Sequence, residues 1–171
     1  ADAPDPTAWG LHASLHRHVP HARCAMHVHS IYATVLASLQ DSRLPAIDQN
    51  SAIFYNRQVI DESYGGLALE EEGIRCAQLF QDPSIRTMIM GNHGVLIIGE
   101  TVAETFTRLY YFERAARNYI LALQTGRPLR RLSHEVAEKT AQELEGCPEA
   151  DAAFLDEIKA TLDVQEPDYL N

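Results

Sequence analysis

Long apolar runs, basic patches and paired cysteines are all scarce in this 171-residue chain, and each scarcity removes a class of function. No apolar stretch approaches the roughly 20 residues that cross a bilayer as a helix, and no secretory leader opens the sequence. A membrane partner is therefore not expected. Basic residues number 14 against 24 acidic ones, for a formal net charge of −10, and no Lys/Arg stripe is present to neutralise phosphates. Nucleic acid is excluded as a partner on the same ground. The nearest basic cluster, Arg127, Arg130 and Arg131, reads as a solvated helix end or a subunit contact. The cysteines, Cys24, Cys76 and Cys147, are odd in number and lack metal-type spacing, which points to a reducing cytoplasm. Cys24 and Cys76 lie in apolar stretches and read as inert core residues. Repeats and low-complexity segments are also missing.

What remains is an ordinary globular composition, 46% hydrophobic and 22% charged, in a length that suits one domain with a real core. A first helix begins with Asp5 or Thr7 as its cap and runs through Leu11 and Leu15 until Pro20 stops it. A strand over 23–29 follows, then a helix over 31–39. Residues 40–66 read as irregular, with short strands at Ile53-Phe54-Tyr55 and Gln58-Val59-Ile60 and a turn at Gly65-Gly66. Residues 69–81 form a helix whose acidic start, Glu70 to Glu72, suits the N-terminal dipole, with Gly73 weakening it slightly. Strands at 86–90 and 95–98 flank the Asn92-His93-Gly94 turn. Thr101 and Glu104 form a capping box for the longest helix, whose Phe106, Leu109, Phe112, Ala116, Ile120 and Leu123 repeat at helical spacing until Gly126 and Pro128. Two more helices, from Ser133 to about Leu144 and from about Glu149 to Leu162, precede a polar tail. Strands mixed with helices, two of them joined by a short turn, imply an α/β sandwich with a mixed or antiparallel sheet.

Histidine is where chemistry concentrates. Strand side chains alternate faces, so His27 and His29 of Met26-His27-Val28-His29-Ser30 point the same way, with Cα atoms roughly 6 to 7 Å apart. Two imidazoles at that spacing can converge on one ion. His93, in its glycine-bracketed turn, is a third donor at a strand end. Three histidines with an open fourth position describe a catalytic metal site better than a structural one. His12 and His16 are also one turn apart, but read as helix-packing residues. Tyr55, Tyr64, Asp61 and Glu62 are loop candidates for catalysis with a structural role as the plainer reading.

With these residues in place the chain resembles the class II aldolase/adducin family. The matching blocks are Leu11-His12 with the following helix, Cys24-Ala25-Met26-His27-Val28-His29-Ser30, Tyr64-Gly65-Gly66, Met90-Gly91-Asn92-His93-Gly94-Val95-Leu96-Ile97-Ile98-Gly99, and Arg108-Leu109-Tyr110-Tyr111-Phe112-Glu113-Arg114-Ala115. The resemblance implies a three-layer α/β/α sandwich around a mainly antiparallel mixed sheet, assembled as a four-fold symmetric tetramer. It implies a divalent ion, commonly zinc, held by His27, His29 and His93, which polarises a substrate oxygen and stabilises an enediolate as a carbon–carbon bond breaks or forms. It also implies that a tyrosine from a neighbouring subunit's C-terminal tail reaches the site, and Tyr169 is its counterpart here.

Two departures bear on function. The family's aldolases carry a Ser-Ser-Glu-like motif before the first helix, whose Glu is the acid/base. Here the stretch reads Pro6-Thr7-Ala8-Trp9, with Ala8 in the position of the Glu, as in the adducin-like branch. The family pattern also normally begins several dozen residues earlier, so residues 1–171 read as a single domain of this family lacking its N-terminal portion. The leading expectation is a metal-dependent, aldolase-like lyase for a small hydroxy-carbonyl substrate. The alternatives are a non-catalytic adducin-like oligomeric module, or a relative doing decarboxylation, dehydration or oxygen chemistry.

Overall fold

The structure, a computed structural model, describes residues 5–63, 65–66 and 69–170. In chain order the elements are α1 (Pro6–His18), β1 (Cys24–Val28), α2 (Ile31–Ala37), α3 (Gln49–Ala52), β2 (Gln58–Asp61), α4 (Leu69–Leu79), β3 (Thr87–Met90), β4 (Gly94–Gly99), α5 (Val102–Gln124), α6 (His134–Leu144) and α7 (Pro148–Gln165), with a closing 3₁₀ turn at Pro167–Leu170. The described strands form one sheet in the order β1-β4-β3-β2. β1/β4 and β3/β4 are antiparallel, and β2/β3 is parallel.

Period-two alternation along β4 divides the core in two. Val95 and Ile97 face a layer built from Ala33, Leu36 and Ala37 of α2 and Phe112, Ala115 and Ala116 of α5. Leu96 and Ile98 face the opposite layer, with Leu11 and Leu15 of α1 and Cys76 and Ala77 of α4. The molecule is thus an α/β/α sandwich around a mixed, mainly antiparallel sheet. β3 and β4 are buried along their whole length because a central strand covered on both faces shows no polar side. Burial pushes the Cys76 thiol up to about 12, which fits an inert core cysteine.

Three local expectations change. Ile53-Phe54-Tyr55 is a turn rather than a strand. Asp48 caps α3 reciprocally with Ser51, and the chain leaves that helix through Asn56 at φ 56°. Phe54 is apolar because it packs edge-on against Phe112, with ring centroids 5.1 Å apart. The capping box of α5 is half formed: Thr101 Oγ1 accepts from the Glu104 N–H, while Glu104 turns back to the Glu100 N–H at 2.8 Å. The apolar stripe of α5 leaves the core in its last turn, since Leu123 is exposed. Asp5 proves to be the cap of α1, accepting from the Thr7 N–H at 2.8 Å.

One contact sets the geometry of the site. α1 and α4 approach so closely that a Cβ at Gly73 would lie 2.3 Å from the Gly10 carbonyl oxygen. Only glycine fits there, and the residue before it, Glu72, is carried against α1. On the far side, buried Arg57 donates to Glu138 at 2.6 Å and to Glu145 at 2.8 Å, fastening α6 and the segment after it to the body.

Candidate metal centre

His27 pairs across the sheet with Leu96, whose side chain packs toward α1 and α4, so the imidazole points into that layer. His29 follows just beyond the end of β1. His93 lies in the β3–β4 turn, which is fastened by backbone bonds from Gly91 N–H to Asp61 O (2.8 Å), Asn92 N–H to Ala37 O (2.9 Å) and His93 N–H to Met90 O (3.0 Å). Asn92 holds φ 57°, a conformation Asn tolerates better than most residues. A Cβ at Gly94 would sit 2.5 Å from Val28 O and 2.9 Å from His29 Cδ2, so a glycine there lets the turn close on the H-x-H segment.

The three rings meet. Centroids are 4.8 Å apart for His27 and His29, and 4.7 Å for each of them with His93. One ligand nitrogen from each lies within 4.8 Å of the others. His27 Nδ1–H donates to Val95 O at 3.1 Å, which assigns its proton to Nδ1 and leaves Nε2, 3.0 Å from His29 Nε2, as the free ligand atom. Burial, and secondarily the nearby His93, push the His27 imidazolium down to about 4. Burial and then His29 lower His93 as well. Both shifts favour the neutral imidazole, which is the metal-binding form.

That depression has a testable sign. The unfolded chain binds protons at an ordinary histidine pKa, whereas folded His27 resists them until about 4. Metal-free protein therefore loses stability as pH falls from about 6.5 toward 4, with the unfolded state binding more protons across that window. Urea melts at stepped pH check this, and His27→Gln should flatten the dependence.

The rings open onto a cleft of about 530 Å³, walled by Thr7, Ala8, Leu11 and His12 of α1 and by Glu72 of α4. Glu72 is the carboxylate among the described lining residues. Its Oε1 lies 3.9 Å from His93 Nδ1 and 3.8 Å from Arg75, is buried, and accepts no hydrogen bond among the described residues. Burial raises this carboxyl above its usual range, partly offset by Arg75. Sequence reasoning assigned Glu72 to the helix dipole. The signal that pointed further was Gly73: a lone glycine inside a helix marks a close approach, and here it brings the preceding carboxylate to the cleft.

Ala8 faces the same cleft and offers no proton-transfer group. His12 also lines it and is pushed down by burial, then by His16. His16 instead donates through Nδ1 to Ala22 O at 2.7 Å, so this pair does not form a second chelate. Asp61 is buried in an ion pair with Arg75 and receives Ser63 N–H. Tyr55 meets His134 at 3.1 Å, away from the cleft, and Glu62 is exposed. Tyr64 lies outside the described residues. Tyr169 donates its hydroxyl to Asp163 near the end of α7.

The model of the class II aldolase and adducin N-terminal domain matches residues 1–120. The chain belongs to that family. Relatives within it include a Caulobacter vibrioides protein assigned by name to the class 2 aldolases, 30% identical over 78% of this chain and 51% of that protein. Human gamma-adducin is 29% identical over 70% of the chain but only 16% of its own length. The chain thus spans about half, or less, of the length of these relatives. Among family structures, an aldolase II superfamily protein from Pseudomonas syringae superposes with a TM-score of 0.84 at 24% identity, covering 100% of this chain and 70% of that one. An L-fuculose 1-phosphate aldolase from Glaciozyma antarctica PI12 gives 0.77 at 21% identity, covering 94% and 60%. At these identities the likeness establishes the fold.

Proposed function

We propose that this family member is a metal-dependent, aldolase-like lyase acting on a small hydroxy-carbonyl substrate, with a divalent ion, zinc as the first choice, held by His27, His29 and His93. The convergence of three imidazoles, one with its outer nitrogen committed to a backbone carbonyl, is the observation that carries this reading. The donor set fits such an ion: three imidazole nitrogens from two strand-end segments, an open side toward the cleft, and no fourth protein ligand closing it among the described residues. A bound ion would polarise a carbonyl or hydroxyl oxygen of the substrate. The chain's own residues supply the rest. Val95 O fixes the tautomer of His27, Gly94 gives the His93 turn its close approach, and Glu72 takes up and returns the proton that Ala8 cannot.

A non-catalytic adducin-like module is the competing reading, favoured by Ala8 and by the likeness to gamma-adducin. A scaffold, however, has no use for three convergent imidazoles. Assembly into a homo-oligomer, a tetramer by resemblance, belongs to the proposal, and it would offer Tyr169 of each tail to a neighbour's cleft.

Elemental analysis of protein purified without added metal tests the reading, followed by a screen of aldehydes and hydroxy acids. About one divalent ion per chain is expected, as for a single mononuclear site. Failure to take up zinc, cobalt or manganese on dialysis would sink it and leave the scaffold reading. Release of carbon dioxide, with no aldehyde, would move the reaction to decarboxylation at the same site.

A further inference from the structure

α2 starts immediately after the H-x-H segment, and its cap is unusual. Ser30 occupies the N-cap position yet makes no hydrogen bond to its own helix through its side chain. The acceptor comes instead from α5, 83 positions along the chain. One oxygen of Glu113 accepts from Ser30 Oγ at 2.6 Å and from Ala33 N–H at 2.9 Å, and the other accepts from Tyr32 N–H at 2.9 Å. A carboxylate taking two orphan amides and a hydroxyl is a stronger tie than a local serine cap, since its hydrogen bonds are charge-assisted.

The placement of that tie matters for His29. β1 ends at Val28, so His29 has no ladder bond of its own. Its ring is exposed and touches the Gly94 turn on one side. The main chain of His29 therefore hangs between two anchors, the Val28–Val95 pairing behind it and the Glu113-bound Ser30 ahead of it. His27 has a backbone acceptor for its outer nitrogen. For His29, the fixed point is the helix start that Glu113 holds.

We propose that Glu113 is a positioning residue for the metal centre, setting the aim of His29 by clamping the first turn of α2 from α5. Its functional meaning rests on the metal-centre reading above, and the experiment separates the two. The probe is zinc alone, in competition with a chromophoric chelator, applied to wild type, Glu113→Ala, Glu113→Gln and Arg57→Ala well below their melting temperatures. Glu113→Ala is expected to weaken zinc binding about 10- to 100-fold, the loss typical of a partner that orients a ligand. Glu113→Gln, which keeps one acceptor oxygen, should fall between it and wild type. Arg57→Ala breaks a buried ion pair on the far side and should lower the melting temperature without moving zinc affinity. In the metal-free proteins, the imidazole C–H resonances of His29 should shift or broaden in Glu113→Ala, while those of His12 stay in place.

Wild-type zinc affinity together with an unchanged His29 resonance in folded Glu113→Ala would overturn the proposal and reduce Glu113 to a helix cap. If that variant does not fold, Ser30→Ala removes one of the three bonds and should move both readouts the same way by less; no movement overturns the proposal equally. If wild type binds no ion, the metal-centre reading falls, and the His29 resonance alone decides the role of Glu113.

Discussion

Glu72→Gln is expected to leave fold and metal content in place and to lower turnover in the proposed reaction about 10²- to 10⁴-fold, the range that a positioned acid or base contributes. Breaking or forming a carbon–carbon bond beside a carbonyl requires a group that accepts and returns a proton, and Ala8 offers none. Glu72 is half-buried with its Oε1 out of solvent, borders the cleft and stands 3.9 Å from His93 Nδ1. Glutamine keeps the shape and the acceptor oxygen but carries no exchangeable carboxyl proton. An unchanged rate in Glu72→Gln, measured on whichever compound the screen identifies, would falsify the assignment. The paired experiment uses Ala8. Ala8→Glu alone sets a second carboxylate across the cleft from Glu72, where like charge makes both harder to ionise, and should slow the proposed reaction. Ala8→Glu in the Glu72→Gln background moves the carboxylate from one helix to the other and should restore part of the lost rate. Restoration in the double variant but not in the single one is the signature of a proton carrier that either helix can present.

His93→Ala is expected to give the largest change in the content of the proposed ion. Loss of one of three ligands should weaken binding by more than the about 10- to 100-fold that loss of an outer partner costs, so that dialysed protein retains no stoichiometric ion. The fold should survive, because the turn is held by main-chain bonds from Gly91 and Asn92 rather than by the imidazole. A second consequence follows from electrostatics. His93 is one of the groups that push His27 down, so its removal lets His27 protonate at higher pH. The metal-free variant should accordingly lose less stability than wild type as the pH falls from about 6.5 toward 4. Stoichiometric divalent metal retained by the variant would remove His93 from the proposed ligand set.

Much of this site was legible because its spacing is local. His27 and His29 share a face through strand alternation, and His93 is announced by glycines on both sides. The sandwich was legible from the order of elements, and α5 from its apolar stripe. Glu72 was not, since three consecutive acids at a helix start look alike in sequence and only the Gly10–Gly73 contact selects the third. Glu113 was visible only as part of a motif, because its partners lie at least 80 positions away. The segment around Phe54 misled for a related reason: apolar β-formers there serve a buried turn packed on α5. Residue type reports that a side chain is inside, and only tertiary packing says in what conformation.

The pairing of β1 with β4 places Cys24 opposite Gly99, a separation of 75 positions, whereas His93 sits in the hairpin between adjacent strands. The hairpin closes a short loop and can form early, while β1 must be recruited across a long one at a greater entropic cost. A slip of one residue in that recruitment would turn His27 and His29 to the α2–α5 side, away from His93. The three imidazoles therefore come together only when the slow, non-local pairing has found its register. Any ion they bind rewards that register alone, so metal added during refolding should suppress misregistered chains as well as stabilise finished ones.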